Sequence, residues 1–308
     1  MKKNIIKLID LEKADFEKIF KEASILKGRH KKGIIEKTLT GKTLGLIFDK
    51  PSTRTRISFE TAMVQLGGVP LFINSAETQM VRNEPIRDMA RVLSRYLDCI
   101  AIRTFSQDLL EEMARFSSIP IINALTDLYH PCQVLSDILT IIEHKGNYEN
   151  LKITWLGDGN NVAHSWIEAA SVLGLNLVLG CPNGFQPNQN ILSQSQKKGT
   201  GKITVTSDPK EAVSGADVIY TDVWASMGQE NEHNLRKQVF TSFQVNSNLV
   251  DMASKDVIIM HCLPAHRGEE ITDEVLESSK SVVWDQAENK MHVHKAILNM
   301  LINQDKGK

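Results

Sequence analysis

The chain has 308 residues, 42% hydrophobic and 24% charged, which is enough for two domains that each bury a core. Its 36 basic and 37 acidic side chains leave a formal net charge of -1. That balance excludes the clustered positive field that broad nucleic-acid or polyanion binding requires, so any positive site must be local and built by the fold.

An amphipathic helix opens the chain. Strands are predicted over 43–48 and 69–73, on either side of a helix over 55–66 that Gly67 and Gly68 end. Ile86, Met89, Ala90, Leu93 and Leu97 keep the spacing of one helix face. Strands over 99–102 and 119–122 bracket a helix over 108–116, and a helix over 131–144 follows. The polar segment 145–150, which carries Gly146, reads as a hinge. The alternation then restarts, with strands over 152–156, 176–179, 203–206, 218–221, 257–260 and 282–284. Helices are predicted over 162–173, 188–197, 209–214, 241–253 and 272–279. The last helix places Ala287, Met291, His294, Leu298 and Leu301 on one stripe. There is no internal repeat and no low-complexity tract.

This order predicts an α/β fold of two doubly wound domains, each a parallel sheet flanked by helices. The first spans 1–147, with the C-terminal helix, 286–308, packing back toward it; the second spans 148–285. The four cysteines, Cys99, Cys132, Cys181 and Cys262, form no CxxC pair, so neither a zinc knuckle nor a thioredoxin-type site is indicated, and reduced thiols are expected. The apolar stretch after Lys2 and Lys3 is too short for a secretory signal and is broken by Asp10 and Glu12. No apolar run reaches the length of about 18 residues that a membrane span needs. The expected location is the cytoplasm, without membrane contact.

Ligands of open α/β sheets bind at the carboxyl ends of strands, so the chemistry is sought at strand-to-helix junctions. The first junction reads Asp49-Lys50-Pro51-Ser52-Thr53-Arg54-Thr55-Arg56. A helix start offers unpaired N–H groups and a positive dipole end, both suited to a phosphate. Ser52, Thr53 and Thr55 add hydroxyls, and Arg54 adds a guanidinium that can grip two oxygens. A well-capped helix with solvated arginines is the plainer reading of this string alone.

Ser52 to Arg56 resembles the carbamoyl-phosphate signature of the aspartate and ornithine carbamoyltransferase family. His130-Pro131-Cys132-Gln133 is similar to that family's second signature, and His261-Cys262-Leu263-Pro264 to its third, in the family's order and approximate spacing. The resemblance spans essentially the whole chain. It implies that Ser52, Thr53, Arg54 and Thr55 bind phosphate in the first domain, that Arg103 and His130 reach the carbamoyl oxygen, and that Gln133 holds the carbamoyl amide nitrogen, with Pro131 and Cys132 lining the same place. Amine attack on the carbamoyl carbon builds negative charge on its oxygen, which fixed donors from Thr55, Arg103 and His130 would stabilise. Gln79, in the polar stretch 77–83, is implied as a further carbamoyl phosphate contact, in some relatives across a subunit boundary. Outside the motif, Arg103 would read as a surface ion pair and His130 as a capping or packed histidine.

The second domain is expected to choose the acceptor. Asp222-Val223-Trp224-Ala225-Ser226-Met227-Gly228 follows the strand at 218–221 and resembles the loop of the family's ornithine branch. An amino-acid acceptor needs an anion for its ammonium group, which Asp222 supplies, and polar contacts, which Ser226 and the Met227 backbone supply. Gly157-Asp158-Gly159-Asn160-Asn161 lacks the third glycine of a dinucleotide fingerprint, since Val162 stands there. The resemblance makes Asn161 an ornithine contact, with Asn160 as the alternative. Cys262, with Leu263 beside it, is implied to work with Asp222 in positioning the acceptor's δ-amine and easing its deprotonation, without a covalent cysteine intermediate. His261 and His266 with Cys262 could suggest a metal, but the rest of such a site is missing from the string, so no metal and no cofactor are expected.

One departure stands out. Relatives carry arginine where this chain has Lys290, which keeps the charge but loses the planar fork. The resemblance thus implies a carbamoyltransferase that takes carbamoyl phosphate and L-ornithine to citrulline and phosphate, in arginine biosynthesis, as a homotrimer or a multiple of one. The phosphate cradle at 52–55 is expected to face the acidic, thiol-bearing cup at 222 and 262 when the two substrates meet. Two alternatives stay open: another acceptor, such as aspartate or N-acetylornithine, and a non-catalytic binding protein on the same scaffold, for which Lys290 is the only support.

Overall fold

A computed structural model describes residues 3–74, 84–225 and 232–303. By contact the chain falls into two compact units, Met1–Ser136 with Glu288–Lys308, and Asp137–Ala287.

In the first unit a 3-10 turn (Leu8–Asp10) precedes α1 (Lys13–Lys31), whose start is fixed by Asp15 Oδ2 accepting the Glu12 N–H at 3.2 Å. Then come β1 (Thr43–Phe48), α2 (Thr53–Gln65), β2 (Val69–Asn74), α3 (Ile86–Leu93), β3 (Cys99–Arg103), α4 (Gln107–Phe116), β4 (Ile121–Leu125) and α5 (Pro131–Lys145), which continues into the second unit. The strands pair in parallel in the order β2-β1-β3-β4. β3 is buried at every position and β1 at all but its first, as expected of central parallel strands covered on both faces. Ile47, Ile100, Ile102 and Ile121 of the sheet meet Met89, Leu110 and Met113 of α3 and α4 in one apolar cluster.

In the second unit the order is β5 (Lys152–Leu156), α6 (Asn161–Leu173), β6 (Asn176–Gly180), α7 (Gln189–Lys198), β7 (Lys202–Thr206), α8 (Pro209–Val213), β8 (Val218–Thr221), α9 (His233–Phe240), α10 (Ser247–Val250), β9 (Ile258–His261), α11 (Asp273–Leu276) and α12 (Val283–Ile302). α12 crosses into the first unit at Glu288, so the C-terminal helix does belong largely with the first unit's elements. The five strands are parallel, in the order β7-β6-β5-β8-β9. The expected two parallel sheets flanked by helices are therefore present.

Each sheet reverses its direction of winding once. In the first the reversal lies between β1 and β3, in the second between β5 and β8. At such a switch point the loops leaving two adjacent strands diverge and open a crevice at their carboxyl ends. Those ends are Phe48 and Arg103 in one unit and Leu156 and Thr221 in the other.

Several expected elements differ. The strand expected over 282–284 is absent. Val282 donates to the Ile259 carbonyl at 3.0 Å, but its own carbonyl accepts the Gln286 N–H at 2.9 Å and α12 starts at Val283. The long helix expected over 241–253 is a 3-10 turn (Thr241–Phe243) and the short α10. Val245 between them bridges to Ile271, and the Asn246 side chain caps α10. The helical turns lie partly upstream, in α9. β4 starts at Ile121 rather than 119, after Pro120, which has no N–H to donate and whose carbonyl accepts Ile100 N–H at 3.0 Å. α3 ends at Leu93, and Leu97 reaches the core from the turn that follows. On α12 the expected stripe is only half right, since Ala287 is exposed and Met291 half-buried. Residues 292–298 are buried all round, His292, His294 and Lys295 included.

Candidate active site

At the first switch point, Ser52 caps α2 by accepting the Thr55 N–H at 3.3 Å. This leaves the Ser52 hydroxyl hydrogen and the N–H groups of Thr53 and Arg54 at a helix start. The two arginines of the string separate. Arg56 bonds Glu60 at 2.9 Å and lies 3.6 Å over the Phe72 ring. Arg54 is exposed and makes no hydrogen bond or ion pair among the described residues. Lys50, buried, pairs with Asp127 and sits 4.0 Å over the Phe105 ring.

Arg103 ends β3 with its guanidinium largely buried. His130 precedes α5, and burial, Lys290, Arg103 and His294 together hold its imidazole well below the usual range. Lys290, Arg103 and His294 thus each lie within electrostatic reach of His130. Lys290 of α12 donates to Gln133 Oε1 at 2.9 Å. His294, one turn on, bonds Ser58 through Nδ1 at 3.0 Å and stacks on Phe59 at 3.6 Å. Cys132 is buried, with its thiol 3.4 Å from the Asn123 carbonyl and pushed up to about 12 by burial. It fills space and is not a nucleophile. Pro131 opens α5. The result is a concentration of positive charge and donors at the ends of β1 and β3, joined by a helix start.

At the second switch point the sign is reversed. Asp222, directly after β8, is buried. Its Oδ1 accepts the Cys262 thiol at 2.9 Å and the Val223 N–H at 2.8 Å, and its Oδ2 accepts Asn160 Nδ2 at 2.9 Å. Asn160 also caps α6, its Oδ1 taking the N–H groups of Val162 and Ala163 at 2.9 and 3.2 Å. Both ends of the Asn160 amide are therefore engaged, whereas Asn161 begins the helix with its side chain half-buried. Asp158 lies close by. Burial raises its carboxyl and Asp222 adds to the rise, against the lowering effect of Arg236. Gly159 is required by close approach, because a Cβ there would lie 2.3 Å from Pro187 N. Gly159 thus serves backbone packing.

The third signature is held from behind. His261 Nδ1 accepts the Leu263 N–H at 2.8 Å, which puts the ring proton on Nε2, where it donates to Glu270 Oε1 at 3.0 Å. Glu270 Oε1 also accepts the His266 N–H at 2.6 Å. Leu263 is one of two non-glycine residues at positive φ among the described residues, at 58°, a conformation that costs energy and persists only where neighbours enforce it. Gln286 supports the same strand end, taking the His261 N–H at 2.9 Å and donating to Asp137 at 2.8 Å and to the Tyr220 hydroxyl at 3.1 Å. Asp222, His261 and Cys262 offer possible metal-ligand atoms within 4.8 Å of one another, as do His266, Glu269 and Glu270. In the first group both His261 nitrogens already hold hydrogen bonds, so a metal there would have to displace Leu263 N–H or Glu270.

Comparison with known proteins decides the family. The family model "Aspartate/ornithine carbamoyltransferase, carbamoyl-P binding domain" matches residues 3–143, and its companion "Asp/Orn binding domain" matches 149–301. The chain belongs to the aspartate/ornithine carbamoyltransferase family. It is 56% identical over 302 residues to the ornithine carbamoyltransferase of Syntrophus aciditrophicus, covering 98% of this chain and 100% of that one. To that of Geobacter metallireducens it is 53% identical with the same coverage. Among solved structures, the ornithine carbamoyltransferase from Pyrococcus furiosus matches with a TM-score of 0.94 and 46% identity over 97% of each chain. The anabolic ornithine carbamoyltransferase from Campylobacter jejuni matches with a TM-score of 0.90 and 38% identity, over 99% of this chain and 100% of that one.

Within this carbamoyltransferase fold the residues singled out by sequence gather in two places. Ser52, Thr53, Arg54, Thr55, Arg103, His130, Pro131, Cys132, Gln133 and Lys290 fall in the first unit, and Asn161, Asp222, Cys262 and Leu263 in the second. Gln79, Ser226, Met227 and Gly228 lie outside the described residues. Sequence reasoning missed His294, Lys50 and Arg236. Arg236 bonds Asp158 and the Trp224 carbonyl, each at 2.8 Å, and Glu232 at 2.9 Å, tying the base of the 222–225 loop to the β5–α6 loop. Nothing local marks their roles, because Asp158, Asp127 and Ser58, the partners of Arg236, Lys50 and His294, lie many residues away in the chain.

Proposed function

We propose that this protein is an ornithine carbamoyltransferase, which transfers the carbamoyl group of carbamoyl phosphate to the δ-amine of L-ornithine and yields L-citrulline and phosphate. The observation that carries the reading is the Asp222 constellation. A buried carboxylate holds a thiol and an asparagine, has a second carboxylate near it, and has no uncommitted base beside it among the described residues. An ammonium-bearing acceptor fits such a place. Aspartate would need a cation for its second carboxylate, and the nearby Arg236 is already taken by Asp158, Glu232 and Trp224.

In this reading the α2 start, with Ser52, Thr53, Arg54 and Thr55, takes the phosphate. Arg103, His130 and the Thr55 hydroxyl donate to the carbamoyl oxygen as the amine attacks. Each donor is worth about 3 kcal/mol in the transition state. A neutral His130 donates without adding a competing charge. Gln133, oriented by Lys290, holds the carbamoyl amide. Asp222 and Cys262 orient the δ-amine, and Asp222 receives its proton while the carbon–oxygen bond to phosphate breaks and the carbon–nitrogen bond forms. Asn161 takes the amino-acid end, a role favoured by the full engagement of Asn160. Gln79, Ser226, Met227 and Leu263 complete the two subsites.

We place the reaction in arginine biosynthesis, supported by the anabolic Campylobacter jejuni relative, and in the cytoplasm, supported by four free cysteines. No helix among the described residues is long and apolar enough to cross a membrane. The assembly we propose is a homotrimer or a multiple of it. In support, edge strand β2 exposes Val69, Leu71 and Phe72, and α2, packed on it, exposes Ile57 and Val64. The test is citrulline assay of the purified protein with ornithine, aspartate and N-acetylornithine in parallel. Turnover with ornithine alone is expected. Turnover with another acceptor, or with none, overturns the reading.

A further inference from the structure

The first unit holds a cavity of about 380 Å³ that none of the candidate site residues named above lines. Its walls are Leu26 and His30 of α1, the 33–36 segment, Gln65 and Leu66 at the end of α2, and Lys295 of α12. The volume lies at the small end of the range for small-molecule sites.

Two polar groups in this wall are unspent. Lys295 is 4% exposed, and neither a hydrogen bond nor an ion pair reaches it among the described residues. Gln65 Oε1 is buried and has no hydrogen-bond partner. The only carboxylate in the wall, Glu36, is paired with Arg29 at 2.5 Å. Burial alone lowers the Lys295 ammonium, and Lys295 in turn helps to depress His292, whose ring lies 5.6 Å from that of His30. The wall is therefore locally electropositive and apolar at once, with Leu26, Leu66, Ile34 and Ile35 supplying the apolar part.

A lysine only 4% exposed with no counter-ion among the described residues and a buried carbonyl without a donor are each unfavourable, and one ligand can satisfy both. We propose that this cavity binds a small aliphatic carboxylate that also carries a hydrogen-bond donor, the chemistry of an α-hydroxy or α-amino acid with a branched alkyl chain. The carboxylate meets Lys295, the donor meets Gln65 Oε1, and the alkyl chain lies on Leu26, Leu66, Ile34 and Ile35. Lys295 and Lys290 share α12, so the ligand acts on the helix that also carries a carbamoyl phosphate residue.

Isothermal titration of the full-length protein with 2-hydroxy-4-methylpentanoate tests this. The probe lacks the ammonium group that the Asp222 subsite would select. The proposal expects saturable binding with a Kd of about 1 mM or tighter. The uncharged analogue 4-methylpentane-1,2-diol should bind at least about tenfold more weakly, since it removes a charge-assisted hydrogen bond. Lys295→Met should weaken the acid to the same degree, with carbamoyl phosphate binding retained. Ile35→Asp, at a position that is 75% exposed, sets a negative charge at the mouth and should weaken the acid severalfold. Absence of binding to the unaltered protein overturns the proposal. So does equal binding of acid and diol, or acid binding unchanged by both substitutions. Failure of citrulline formation would leave this titration unaffected, so the two readings fail separately.

Discussion

The two switch points share a plan and differ in sign. At each, a helix begins just beyond a central strand. At α2 the cap is a serine that takes one N–H, which leaves the helix start able to receive an anion. At α6 the cap is Asn160, which takes two N–H groups and turns its other end to Asp222. The neighbours follow suit. Burial, together with Lys290, Arg103 and His294, holds the His130 imidazole low, whereas burial, with Asp222 adding to it, pushes the Asp158 carboxyl up. The fold provides the place in both units, and the residues at the junction decide which charge it accepts.

The contrast can be broken first at Arg103. Arg103→Gln should lower kcat/KM by about 150-fold, the loss of one proposed oxyanion donor worth about 3 kcal/mol. A fall of less than tenfold in steady-state assay would remove Arg103 from the chemistry. Next is Asp222→Asn, which keeps shape and removes charge. A drop of about a hundredfold in kcat/KM for ornithine is expected, the scale of a charge-assisted hydrogen bond. Lys290 sharpens the comparison, since its ammonium donates to Gln133 Oε1 at 2.9 Å. Lys290→Met should raise the KM for carbamoyl phosphate about tenfold and leave that for ornithine unmoved. Lys290→Arg, with its planar fork, should lower it by about threefold.

The smallest effect is on stability. Burial lowers His292 to about 4 from 6.5, against the opposing pull of Glu288, and it moves His130 and His294 the same way. The folded first unit keeps these rings neutral, while the unfolded chain takes up protons as the pH falls below 6.5. The unfolded state then binds more protons, so stability declines from pH 6.5 toward 4. Thermal unfolding followed across that window should show a falling Tm, with a shallower slope in His292→Gln. A flat profile would mean the rings are not buried neutral.

Much of this was legible in the sequence, and particular residues show why. The strands at 43–48, 152–156 and 218–221 stand where alternation and flanking breakers place them, because central parallel strands are short apolar runs bounded by polar junctions. The junction strings Ser52–Arg56 and His261–Pro264 were legible because they are local. Val282–Trp284 was not, since β-branched residues at a helix start resemble a strand until the Gln286 N–H chooses the Val282 carbonyl. Nor was the buried face of α12. Lys290 and Asn289 look solvent-facing in a periodicity, yet they find Gln133 and Lys27 inside the first unit, at 2.9 and 2.7 Å. Such partners are more than 150 positions away, and no window sees them.

The assignment of opposite charge to the two subsites is tested most directly by equilibrium binding without turnover. Carbamoyl phosphate would be titrated calorimetrically into the unaltered protein, Arg103→Gln and Asp222→Asn. Arg103→Gln should weaken binding by at least about tenfold and Asp222→Asn should leave it within about twofold. Equal weakening by both, or loss in Asp222→Asn alone, would contradict the account.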